Sequence, residues 1–231
     1  NHPDPAIDLR VLRQPSMWPV QLTAGLVGVS LLGAQAPLST FAGTDPINGF
    51  GLGLEATERS YIIGAYLVAM IIGALLFAPA SRRTTPRLTL IGATLIVAIG
   101  YLAFLVNNDT AIGVTINMMI AGLGSGALVA ALPAAAAAAA PLGQTGIATG
   151  LTNTTKTIGG AFASAIFAVV LVLAAGQAVT ETASSLLGYM IVFAICGGTA
   201  LVAAIALVFV PRLAFSDAPA DEGLQPSPTL L

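Results

Sequence analysis

Charge is what this sequence has least of: 8% of its 231 residues are Asp, Glu, Lys or Arg, against about 25% in an ordinary soluble domain. Water is therefore not its main solvent. With a single cysteine, Cys196, neither an intrachain disulfide nor a cysteine-rich metal site can form, and a thiol inside an apolar run packs as a small apolar residue. The one histidine, His2, stands in the N-terminal segment, and no Asp or Glu falls inside a long apolar run. General acid–base work, a metal cluster and a Ser/His pair within those runs each lack a partner. No enzyme, no metal ion and no cofactor is expected. A net charge of −2, without a basic stripe interleaved with aromatics, excludes nucleic acid as a partner. The first fifteen residues are polar and proline-bearing, with no short apolar core before a small-residue cleavage site, so no signal peptide is expected. Because it starts at Asn1 rather than Met, the chain is expected to be cut from a longer protein.

Long apolar runs are what the sequence has in abundance. Hydrophobic residues make up 56% of it, in segments at about 18–42, 60–80, 88–106, 111–136, 147–175 and 185–210, separated by polar or turn-forming residues. Crossing about 30 Å of hydrocarbon at about 1.5 Å per residue takes about 20 largely apolar residues, so each run predicts one transmembrane helix. Open strands are excluded, because unpaired backbone groups facing lipid cost several kcal/mol each, and a closed barrel shows alternation instead of long runs. The expected fold class is an all-α membrane protein of six transmembrane helices. Twelve spans would need about 240 residues before any loop, which this chain lacks. Pro37, Pro79 and Pro133 lie near the ends of their runs, where a kink or helix stop is tolerable. Residues 1–17 read as a cytoplasmic linker, 18–212 as the bundle and 213–231 as a disordered, acidic, proline-bearing cytoplasmic tail. Ala134–Ala140 closes the fourth span before a turn at Pro141–Gly146.

Orientation follows from Lys and Arg. Arg10 and Arg13 precede the first span, Arg82, Arg83 and Arg87 lie between the second and third, Lys156 opens the fifth and Arg212 follows the sixth. With both termini inside, all are cytoplasmic. The opposite loops carry Asp45, Glu55, Glu58, Asp109 and Glu181, with Arg59 expected to form a solvated pair with Glu58.

Few residues inside the runs carry chemistry. Ser125, between Gly124 and Gly126, faintly resembles the nucleophile of an intramembrane protease, but it has no base. Gly122, Gly124, Gly126, Gly159 and Gly160 remove side-chain bulk, which permits either static close packing or helices that rock against one another. Lys156 lies about 9 Å along its helix, where an ammonium must snorkel, face a wet cavity or pair with an acid absent from these runs. Gln35, Asn117 and Asn153, with Thr154 and Thr155, either line a cavity or form helix-to-helix hydrogen bonds. The loop Ser81–Arg87 is a positive-inside anchor or a gate.

Two stretches carry a resemblance. Gly73–Arg87, GALLFAPASRRTTPR, resembles the basic cytoplasmic loop motif between the second and third helices of each six-helix half of a major facilitator superfamily transporter. Gly146–Ala168, GIATGLTNTTKTIGGAFASAIFA, is similar to the penultimate-helix signature of the fourteen-helix, actinobacterial drug:proton antiporter branch, and IDLRVLRQPSMWP resembles the linker into that C-terminal half. Here the loop lacks the usual acid before its basic residues, and Lys156 stands where arginine is more frequent. The resemblance implies proton-driven efflux of small amphipathic or drug-like compounds across the plasma membrane by alternating access. It further implies a gating role for Arg82, Arg83 and Arg87, and a missing N-terminal helical half that holds most of the proton-binding acids. The expected partners are that half, the lipid bilayer, protons and a small-molecule substrate. Two other readings stay open: a half-size transporter that dimerises, and a non-transporting membrane scaffold.

Overall fold

The computed structural model describes residues 18–140, 143–175 and 185–209. The expected linker with His2, Arg10 and Arg13, the turn at Pro141, Glu181, Arg212 and the tail lie outside these. The described residues are helical apart from short turns: α1 (Trp18–Gly33), α2 (Gln35–Gly43), a 3-10 turn at Pro46–Asn48, α3 (Ala56–Arg83), α4 (Pro86–Ala103), α5 (Ala111–Ala139), α6 (Thr145–Ala175) and α7 (Leu186–Phe209). Taking α1 and α2 as one broken span, six helices are long and apolar enough to cross a bilayer. The chain is a multi-pass membrane protein of the all-α class.

Local chemistry sets the helix ends. Thr85 Oγ1 accepts from Leu88 N at 3.2 Å and Pro86 occupies the first turn of α4, where its missing N–H costs nothing. Thr110 Oγ1 does the same for Gly113 N of α5 at 3.1 Å. At α3 the backbone N–H of Glu55 donates to Glu58 Oε2 at 3.0 Å. This cap starts the helix at Ala56, before the apolar run predicted from residue 60, and Pro79 does not stop it before Arg83. The cap also overturns the expected Glu58–Arg59 pair. Adjacent helical residues point about 100° apart, so Glu58 turns back to the cap, while the Arg59 guanidinium lies against Gly43 at the end of α2. A cation is favourable at a helix C-terminus.

Within the bundle α3 packs on α5, α5 and α7 on α4, and α1 on α6 and α7. Glycines set how close these crossings come. Gly122 and Gly126 place one face of α5 against the Tyr66 and Met70 carbonyls of α3, whereas Gly124, half a turn away, meets the Ala93 carbonyl of α4. Gly28 of α1 lies against the Lys156 carbonyl, and Gly159 and Gly160 of α6 lie against Gly25, Gly28 and Leu32. Backbone approaches backbone at each crossing, which gives the dense packing that replaces the hydrophobic effect inside lipid.

An aromatic cluster closes the end of the bundle that carries Asp45, Glu55 and Asp109. Phe104 stacks on Phe193 at 3.9 Å between centroids, and Phe41 meets Phe104 edge-on at 4.9 Å and Tyr189 at 5.4 Å. Phe50 joins it from the loop after the 3-10 turn, where Gly51 (φ 92°) fits beneath the Thr44 carbonyl because it has no Cβ. The edge helices are α3 and α6. Of their most apolar stretches only 22% and 17% is buried, against 56% in the first and fourth spans.

Candidate functional site

The one broken span positions the site. Pro37 has no N–H to offer the Gly33 carbonyl, so the ladder lapses and the chain turns at Ala34 before resuming as α2. Discontinuous helices of this kind expose backbone and polar side chains at membrane depth. Gln35 follows the break directly, about 12 Å from the Gly43 end of the span. Its amide is exposed and makes no hydrogen bond within the described residues.

Gln35 opens onto a narrow cleft lined by Leu38, Ile63, Tyr66, Tyr101 and Met118. The Tyr66 phenol, from α3, stands beside Ser125 of α5 and Tyr101 of α4. Tyr66 Oη and Ser125 Oγ are buried close to each other yet outside hydrogen-bonding geometry, so both lack a partner. Buried hydroxyls normally find one. The cleft's walls are apolar apart from Gln35 and the two tyrosines, and the space it encloses is about that of one water molecule. Ser125 has no histidine among the described residues, which leaves it without a general base.

The other predicted residues are scattered. Asn117 is buried on α5 and donates through Nδ2 to the Asn107 carbonyl at 2.7 Å, tying the helix to the turn before it. Asn153 and Thr154 are exposed on α6, and Lys156 is half-buried at the α1 crossing, where its carbonyl lies against Gly28. Thr155 donates to Gln21 Oε1 at 2.8 Å, and Gln21 Nε2 donates to Thr152 Oγ1 at 2.8 Å. The amide of Gln21 therefore bridges α1 to α6. Sequence reasoning missed it, along with Tyr66, Tyr101 and Thr152; the available signal was that a buried amide or phenol requires a partner. Gln21→Leu is expected to loosen this joint by about 1–2 kcal/mol, seen as a lower melting temperature in detergent. The loss stays moderate because Thr152 and Thr155 still reach the carbonyls of Ala148 and Leu151.

Arg87 of the α3–α4 turn is already engaged. Its Nε donates to the Leu207 carbonyl at 2.9 Å and its Nη2 to the Val208 carbonyl, so the guanidinium caps the C-terminal turn of α7. Arg82 and Arg83 are exposed. The described carboxylates Asp45, Glu55, Glu58 and Asp109 all lie at the far end of the bundle, and no ion pair joins any described residues.

A family model for the Major Facilitator Superfamily matches residues 24–230. The chain belongs to this superfamily. Major facilitator proteins among solved structures are similar in fold: the inward-open xylose transporter XylE from E. coli, with a TM-score of 0.60 at 20% identity over 84% of this chain and 47% of that one. A D-xylose-proton symporter gives 0.60 at 19% identity over 85% and 47%. The chain thus spans about half the length of these relatives. No curated protein matches it. Membership in a transporter superfamily agrees with a site that has hydrogen-bonding groups and apolar walls but no catalytic pairing.

Proposed function

We propose that this chain is the C-terminal half of a secondary transporter, which works against a second helical half to export a small amphipathic, drug-like solute in exchange for protons. The observation that carries the reading is the double surface of α6. Gly150, Thr154, Thr157, Ala161, Ser164 and Ala168 are all exposed and recur every three or four residues, forming one small and polar face. Ile158, Phe162, Ile166, Val169 and Leu173 form a second, bulky apolar face. Lipid solvates the bulky face. The polar face suits a wet pathway or the smooth surface of a moving neighbour. The missing N-terminal half is the partner proposed for it, with the cleft at Gln35 as this half's share of the solute site.

The direction of insertion follows from the end that gathers Arg82, Arg83, Arg87 and Lys156, which faces the cytoplasm of the plasma membrane on this reading. The described carboxylates all lie at the opposite end, so the proton-binding acid is assigned to the other half. The test is the full-length protein in liposomes under an imposed pH gradient, with ethidium and D-xylose as alternative solutes. Ethidium movement that stops on adding a protonophore is the expected result. Proton uptake driven by D-xylose without ethidium movement would replace export with sugar symport. Movement of neither solute would favour a scaffold.

A further inference from the structure

We draw no further inference here: the strongest candidate, the polar pocket that Phe50, Asn108 and Asp109 line at the carboxylate-bearing end of the bundle, rests on one exposed carboxylate, and nothing in the structure shows what occupies it.

Discussion

Gly126→Leu is expected to destroy the α3–α5 crossing, lowering stability by at least about 3 kcal/mol and leaving little folded protein in the membrane. A Cβ at this position would overlap the Met70 carbonyl, and Gly122 beside it leaves no room for the helix to slide. Backbone cannot rotate out of the way as a side chain can, so the helices must separate along the face where α3 is held. Gly150→Leu is the matched control, because a Cβ there meets nothing within 4 Å. Membrane yield and melting temperature in detergent provide the measurement. An unchanged melting temperature for Gly126→Leu would show that the crossing is not closely packed.

Gln35→Ala is expected to slow solute transport by the full-length protein at least tenfold, the equivalent of about 1.4 kcal/mol, without changing its melting temperature. The two amides of the first span make the contrast sharp. Gln21 is buried and satisfied by Thr152 and Thr155, so replacing it weakens packing. Gln35 is exposed and unpaired at the break, so packing does not depend on it. Comparing transport rate with melting temperature for both variants separates a binding role from a structural one. Undiminished transport by Gln35→Ala would remove the cleft from the solute pathway, and a matching fall in stability would make the amide a packing group.

The architecture was readable because lipid imposes it. Every apolar run long enough to span forms a helix, and boundary errors fall where a cap decides, as where Glu55 and Glu58 extend α3 upstream of its apolar stretch. Glycine positions also told where helices come together, since few other roles suit Gly122 and Gly126 in an apolar run. Side-chain partnering was not readable. Asn117 and Gln35 are both amides in apolar runs, yet one is bound to a turn carbonyl and the other is free. The break after Gly33 decides the difference, and Pro37 alone did not announce it, because Pro79 and Pro133 lie within helices that continue. Arg87 reads like its neighbours in the loop, and only the nearby end of α7 sets it apart.

The little-buried faces of α3 and α6 also bear on the order of assembly. In water, surfaces bearing Leu67, Ile71, Leu75 and Phe162 would cause aggregation before any complement arrived. Hydrocarbon treats them as native surroundings, since acyl tails are as apolar as leucine. The contacts that hold the helices together, such as the glycine crossings and the Gln21 bridge, lie within this chain. The bundle can therefore be inserted and packed as a finished unit, and on the proposed reading its joining to a second half would be a meeting of two prefabricated bodies within the plane of the membrane.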